Sequence, residues 1–353
     1  MIAIGVAGCG AVTLLYYLPA LKALEAEGRA RVVALFDPDP GALAELGHSF
    51  SAALATTSFD ELLASGLGLL VVASPPRFHA EQALMALARG IAVHCEKPLA
   101  LTAGEGAEIL RAALAAGRNV SVGLVRRSFP AVHAIAGLLA RKAIGKLESV
   151  DVFEGGPFAW PVRSVGYFSR EQSGGGILRD IGAHALDLLI GWLGKPEFGH
   201  YEDDAMGGVE ANCRIGLRFG GTPVNVRLSR DWERPNRYLF KGNEGWVSWT
   251  PWEPNRVELG LGGSGVQGAL ALHASAPGAT TALGAPAPDF PDAFTAHLRA
   301  AVDGLGSPEP ATAQSLGLHA LELIDQCYAR RTAIEAPWLA PVAPLSLLQA
   351  PLA

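Results

Sequence analysis

No two cysteines of this chain stand close together. Cys9, Cys95, Cys213 and Cys327 form no CxxC pair, which argues against a zinc site and against a disulfide framework; reduced thiols in a cytoplasm and no bound metal are expected. Long apolar runs are missing too. No window approaches the roughly 18 to 20 residues of a membrane span, and the apolar start MIAIGVAGCGAV has no basic n-region. An unexported protein with no membrane partner is the reading. Basic charge is also short: 28 Lys and Arg face 34 Asp and Glu, with no basic run. A nucleic-acid partner is therefore disfavoured, and a small-molecule ligand is expected. There is no internal repeat.

What the chain does have is length. At 353 residues it exceeds what one core usually serves, so two domains are expected. Residues 2 to 125 alternate β-branched runs (IAIGVAG, RVVALFD, LGLLVVAS, GIAVHCE, NVSVGL) with Ala/Leu-rich stretches, the signature of a parallel α/β sheet. Ser58 to Glu61 and Thr102 to Glu105 have capping-box spacing, and Gly90 and Gly117 stand where helices would end. Beyond about residue 146 longer, partly alternating strands appear (KLESVDVFE, VEANCRIGLRF, TPVNVRLSRDW, RYLFKG, GWVSW). Helices are predicted only near 180–193, 290–303 and 312–330. This part reads as α+β on a mostly antiparallel sheet. The Gly/Ala/Pro-rich segment 258–288 reads as loop or irregular strand, and the proline-rich tail 336–353 as chain lying against protein surface. The expected division is 1–125, 126–310 and a C-terminal helix and tail, 311–353, packing back on the body.

The first strand runs into Gly8-Cys9-Gly10-Ala11-Val12-Thr13, a dinucleotide fingerprint with Thr13 in place of the third glycine. The first glycine permits the tight turn and the second lets a pyrophosphate approach backbone N–H groups; the third concerns helix packing, so the phosphate site survives its loss. Asp37 ends the second predicted strand, where a carboxylate accepts ribose hydroxyls. Pro38 follows it rather than a basic residue, so NAD is favoured, with NADP possible in principle. Ser74, Pro75 and Pro76 form a second loop with a helix start behind it, suited to present N–H groups to a dinucleotide.

VHCEKPLALT at 93–102 and GGGILRDIGAHALDLL at 174–189, together with GCGAV and VVASPPRFHAEQALMALARG at 71–90, resemble the glucose-fructose oxidoreductase, inositol dehydrogenase and rhizopine-catabolism (Gfo/Idh/MocA) family. VGLVRRSFP, RYLFKGNEGWV and HALELIDQCYARRT extend the likeness over nearly the whole chain. The resemblance implies a Rossmann domain plus an α+β C-terminal domain with a large, mostly antiparallel open sheet, which serves as the interface of a homo-oligomer, dimer or tetramer. It implies a nicotinamide cofactor between the domains, with Glu96, Lys97 and Pro98 beside the nicotinamide ribose and His79 near the cofactor. It also implies that Lys97 reaches the reacting hydroxyl with Asp180 and His184 as partners.

Those residue types suit that chemistry. Asp180 and His184, four apart on a helix, share a face and are expected to share a hydrogen-bond network. Imidazole titrates near neutral pH and can take and return a hydroxyl proton, while an ammonium stabilises developing alkoxide charge. Trp160, Arg163 and Tyr167 offer an aromatic and basic set suited to a sugar ring; relatives carry a Trp-Arg pair here, which this chain separates by Pro161-Val162. Arg126 and Arg127 border the cleft or form surface salt bridges. Asp187 is read as structural, as are His133, His200, His273, His297 and His319. Glycines 174 to 176 suit a close substrate approach, a mobile lid or an ordinary turn. The expected function is an NAD(P)-dependent oxidoreductase of secondary alcohols or ketones in a sugar, cyclitol or related polyol. The alternatives are a glycosidase, lyase or epimerase using tightly bound NAD without net redox change, and a non-catalytic dinucleotide sensor.

Overall fold

The computed structural model describes residues 1–51, 53–163, 165–262, 267–271, 290–306, 311–313 and 315–335. The amino-terminal part contributes six strands, β1 (Ile2–Ala7), β2 (Ala30–Phe36), β3 (Leu54–Thr56), β4 (Leu69–Val72), β5 (Ala92–Cys95) and β6 (Val120–Val122), in one sheet of order β3-β2-β1-β4-β5-β6. All pairings in it are parallel. Helices α1 (Leu18–Ala26), α2 (Pro40–Gly47), α3 (Phe59–Ala64), α4 (His79–Ala88) and α5 (Ala103–Ala116) make the crossovers. Every residue of β4 and β5 is buried, as continuous apolar strands with helices on both faces must be. Because β1 lies between β2 and β4, the winding reverses there, and a crevice opens at the carboxyl ends of the strands. Gly8, Asp37, Ser74 and Lys97 each follow a strand at that same edge.

The helix ends obey the sequence with one variation. Thr102 and Glu105 form the full reciprocal box. Ser58 accepts the Glu61 N–H, but the Glu61 carboxylate takes the Thr56 hydroxyl, and that hydroxyl oxygen accepts the Ser58 N–H, so the second half of the box is relayed through a threonine. Gly90 and Gly117 adopt left-handed φ directly after α4 and α5.

Helix α6 (Pro130–Ala140) leads into the second sheet. Its elements are β7 (Leu147–Gly155), α7 (Arg170–Ser173), α8 (Ala183–Leu193), β8 (Glu197–Asp203), β9 (Asn212–Phe219), β10 (Thr222–Ser229), β11 (Arg237–Gly242), β12 (Gly245–Trp249), β13 (Arg256–Leu261), β14 (Gln267–Ala271), α9 (Phe290–Asp303), α10 (Leu318–Ala329) and β15 (Thr332–Ala333). The nine strands run in the order β14-β13-β12-β11-β7-β10-β9-β8-β15. The pairs β7–β10 and β8–β15 are parallel and the others antiparallel. One face is apolar: Val150, Val152, Val226, Tyr238, Phe240 and Trp249 join Leu186, Leu189 and Ile190 of α8 in one core. On the other, Asp151, Asn225, Arg227, Arg237 and Lys241 are exposed, the alternation of a sheet covered on one side.

Of the two readings of 258–288, loop or irregular strand, β13 and β14 bear out strand for the part they cover, and in regular antiparallel register from Arg256↔Ala271 to Gly260↔Gln267. Their glycines and alanines hid a strand whose pattern is set by an edge position rather than by burial. Residues 272–289, with His273, and the tail 336–353 lie outside the described residues. Helix α9, distant in sequence, packs on α1 of the first sheet, with the Arg299–Glu27 and Arg29–Asp303 ion pairs and a Tyr17–Phe294 ring contact at 4.9 Å. Helix α10 packs on both α5 and α8. Gly106 of α5 makes this close: a Cβ there would stand 2.6 Å from Leu318. The two sheets are thus clamped at two places, which fixes the crevice edge relative to α8.

Candidate active site

The turn after β1 explains its two glycines differently. Gly8 has φ +99°, and a Cβ there would lie 2.5 Å from the Ala73 carbonyl, so the close crossing to the end of β4 needs glycine. At Gly10 nothing lies within 4 Å of the place a Cβ would take. That open space adjoins the first helical turn, whose N–H groups at Ala11 and Val12 precede any intrahelical acceptor, an arrangement fitted to a pyrophosphate. Asp37 accepts the Cys9 N–H at 2.8 Å on one oxygen and the Asp39 N–H at 2.9 Å on the other. It clasps the glycine turn and keeps a lone pair on each oxygen for ribose hydroxyls. Thr13 is buried and its hydroxyl donates to the Gly8 carbonyl at 2.7 Å, while residues Thr13–Tyr17 form a π-helical turn. The side chain that replaces the third glycine is thus put to use holding the turn, and a wider helical turn houses it.

On the neighbouring loops, the Ser74 hydroxyl donates to Gln82 at 2.7 Å, and Pro76 opens a short turn before α4. His79, expected near the cofactor, has its ring turned to the backbone of two loops. It is 1% exposed, with Nδ1 2.7 Å from the Pro98 carbonyl oxygen and Nε2 2.8 Å from that of Ser74, so no ring nitrogen is left for a ligand. Glu96 is buried, accepts the Tyr17 hydroxyl at 2.8 Å and the Lys97 N–H at 3.0 Å, and burial pushes its carboxyl above the ordinary value. The Lys97–Pro98 bond is cis.

Lys97 and Asp180, 83 residues apart, meet: the ammonium donates to Oδ1. Asp180 Oδ2 accepts the Tyr167 hydroxyl at 2.7 Å and Arg230 Nη2 at 2.8 Å. Burial works to raise its pKa, but Lys97 and Arg230 outweigh it and hold the carboxyl far below the usual carboxylate range. Side-chain exposures of 20% for Lys97 and 30% for Asp180 leave the pair open on one side. His184 is not hydrogen-bonded to Asp180 as expected: the Asp180 oxygens accept Lys97, Tyr167 and Arg230, and Asp180 stands in the π-helical turn Leu178–Gly182, ahead of α8. The ring is nonetheless in the same field. Burial, then the positive charges of Arg126 and Lys97, push the His184 pKa well below its ordinary value, with Asp180 opposing, and Nδ1 is buried without a partner.

The glycine run holds this turn rather than receiving a ligand. Gly174 ends α7 in a left-handed conformation, a Cβ on Gly175 would meet the Tyr328 hydroxyl at 1.9 Å, and one on Gly176 the Glu210 carbonyl oxygen at 2.0 Å. Close packing therefore decides among the turn, lid and approach readings. Buried Glu210 supplies the helix cap: its Oε1 accepts N–H groups of Gly176 at 2.9 Å and Leu178 at 3.0 Å, and the Tyr328 hydroxyl at 2.7 Å.

The aromatic and basic set is only partly assembled. Tyr167 is at the site. Trp160 stacks on Tyr16 at 6.2 Å, beside the nucleotide turn. Arg163 is drawn away, paired with Glu45 of α2 on the exposed surface. Arg126 is not free for a ligand: it is 4% exposed and gives both terminal nitrogens to Glu154, which also accepts the Tyr238 hydroxyl at 2.7 Å. Arg127 pairs with Asp187, whose structural reading this fits. His297 bonds Ser128 and the Val122 carbonyl, and His319 lies by Glu322 on the surface. Arg230 and Glu210 escaped sequence reasoning, since no local spacing relates the end of β10 or the turn before β9 to a helix start.

The site thus combines an open glycine turn, an ammonium fixed on a carboxylate and a buried imidazole held well below its ordinary pKa. Comparison with known proteins agrees. Residues 2–124 match the oxidoreductase family profile with an NAD-binding Rossmann fold (GFO_IDH_MocA), and residues 132–248 match the GFO/IDH/MocA C-terminal domain. An oxidoreductase of Synechocystis, sll0816, is 31% identical over 180 residues, covering 50% of this chain and 48% of that protein. The inositol 2-dehydrogenase of Rhizobium meliloti is 29% identical over 174 residues, covering 49% and 51%. The chain thus spans about half the length of these curated relatives. In structure, KijD10, a 3-ketoreductase from Actinomadura kijaniata in complex with NADP and TDP-benzene, superposes with a TM-score of 0.79 at 22% identity, covering 94% of this chain and 98% of that one.

Proposed function

From the premise that the chain belongs to the Gfo/Idh/MocA family of NAD(P)-binding oxidoreductases, we propose that it moves a hydride between a nicotinamide cofactor and a secondary alcohol or ketone of a sugar, cyclitol or related polyol. Gly8, Gly10, Ala11, Val12 and Asp37 would hold the adenosine and pyrophosphate half, with the loop Ser74–Pro76 and Glu96 bordering the other. Asp37 supports NAD over NADP, because a 2′-phosphate beside its carboxylate would meet like charge. When bound, the nicotinamide supplies the hydride acceptor or donor.

The protein's own residues manage charge and the proton. Lys97 offers its ammonium to the substrate oxygen as alkoxide character develops. Asp180 holds that ammonium on one oxygen while Tyr167 and Arg230 steady the other. The neutral His184 ring accepts the hydroxyl proton on oxidation and returns it on reduction; with Nδ1 sealed, Nε2 is the nitrogen that does so. The observation carrying this reading is the Lys97 contact with Asp180, made between the two sheets at the edge where the dinucleotide cradle opens. The exposed face of the second sheet is the surface on which we place a homo-oligomer contact.

Stopped-flow absorbance with NAD and a panel of cyclitols, aldoses and polyols tests the reading: NADH should form with at least one member. Absence of NADH with every alcohol, and no NADH consumption with the matching ketones, would contradict it. Product formed at constant NADH would shift the reading to chemistry without net redox change.

A further inference from the structure

We propose that His79 is a positioning residue that ties the loop after β4 to the Lys97–Pro98 turn, so that the cofactor loop and the Lys97 ammonium keep a fixed spacing; the kinetic part rests on the role given to Lys97 above. The need for a tie is written into the chain. Strands β4 and β5 run parallel as far as Val72↔Cys95, and one more backbone bond, from Glu96 N–H to the Val72 carbonyl, closes the ladder. Past it, Pro75, Pro76 and Pro98 have no N–H, the Ala73 N–H goes to the Ala7 carbonyl and the Lys97 N–H to the Glu96 carboxylate, so the ladder is not continued by them. What they present to one another is carbonyl oxygen.

His79 answers both sides. Its ring lies buried at the start of α4, Nδ1 at 2.7 Å from the Pro98 oxygen and Nε2 at 2.8 Å from the Ser74 oxygen. Burial holds the ring below its ordinary pKa, the two carbonyls oppose this, and Lys97 adds to the lowering. Both partners are acceptors, so a neutral ring donates to one carbonyl and packs its other nitrogen against the second, while a charged ring donates to both. One side chain therefore spans the loop that carries Ser74 and the residue next to Lys97.

Two amide replacements separate the two ends of the tie. His79→Gln carries a donor where Nε2 stands and keeps the Ser74 side; His79→Asn carries one where Nδ1 stands and keeps the Pro98 side. In His79→Gln, Lys97 should be acylated several-fold faster than in the parent, read by mass spectrometry against Lys22 and Lys146 of the same molecule. Its kcat should fall at least about tenfold, with KM for the dinucleotide changed less than about threefold. His79→Asn should leave Lys97 labelling at the parent rate and raise KM for the dinucleotide instead. Equal behaviour of the two variants, or a lowered Tm with unchanged labelling and kinetics in both, would overturn the proposal. Labelling needs no turnover: faster Lys97 labelling in a chain that oxidises no polyol would uphold the tie and remove the proposed reaction, whereas turnover with unaltered labelling would remove the tie alone.

Discussion

At Asp180 one carboxylate receives three donors, Lys97 and Arg230 carrying charge and Tyr167 none. Replacing it by Asn keeps the shape and removes the charge that holds the ammonium. We expect Asp180→Asn to lower kcat by about 10²-fold or more, with dinucleotide affinity little changed, as loss of electrostatic positioning does; steady-state kinetics beside a direct binding titration check this. Arg230→Gln touches only the second oxygen and should cost less, about tenfold, by the same assay. Lys97 and Asp180 were legible because each stands in a motif whose spacing is local. Arg230 was not, because its partnership arises where the end of β10 packs on the turn that carries Asp180, which no short pattern encodes. The two carbonyl partners of His79 were hidden for a related reason: they belong to two different loops, which no pattern at the start of α4 encodes.

At the scale of elements, the π-helical turn Leu178–Gly182 depends on a cap from another part of the chain. Glu210 takes the N–H of Leu178, that of Gly176 just ahead of the turn, and the Tyr328 hydroxyl on one oxygen. Glu210→Ala would leave those buried donors unpaired, so unfolding by urea should show a loss of about 1–3 kcal/mol or more. Activity should fall further than stability alone explains, because Asp180 rides on that turn. The parallel sheet was largely readable, its strands being unbroken apolar runs between capped helices. The short edge strand β3, and β8 with its acidic FGHYED texture, were not: β3 is mostly exposed and β8 only partly buried, so neither shows a clean apolar period. At the far edge of the second sheet, β14 was hidden by its glycine and alanines. Edges of a sheet are specified by their neighbour's free backbone groups more than by their own side chains.

For the whole molecule, burial shapes the response to pH. His79, His94, His184 and His297 are all held below the ordinary histidine value, chiefly by desolvation, His94 down to about 3. Above about pH 6.5 these rings are neutral folded and unfolded alike. Below it the unfolded chain binds protons that the folded chain refuses, so this stability is complete above that pH and is lost as pH falls toward the folded-state values, by about 1.4 kcal/mol per pH unit for each ring. Urea midpoints measured from neutral to mildly acidic pH should fall steeply; a flat profile would mean that the rings are not sealed. The pair Arg126–Glu154, with Tyr238, bridges the crossing segment and the second sheet in a nearly dry interior. Arg126→Met would strand the Glu154 charge and should cost about 3–5 kcal/mol in the same unfolding assay.

The two clamped sheets, on this account, bring the Lys97 ammonium, held by Asp180, and the His184 ring of α8 to a single oxygen of the substrate. The most direct test is a single-turnover absorbance trace of Lys97→Met, folded and saturated with NAD, mixed with the best substrate of the parent. The account predicts dinucleotide binding like the parent's and NADH formation slower by about 10³-fold. NADH formed at the parent's rate would contradict it.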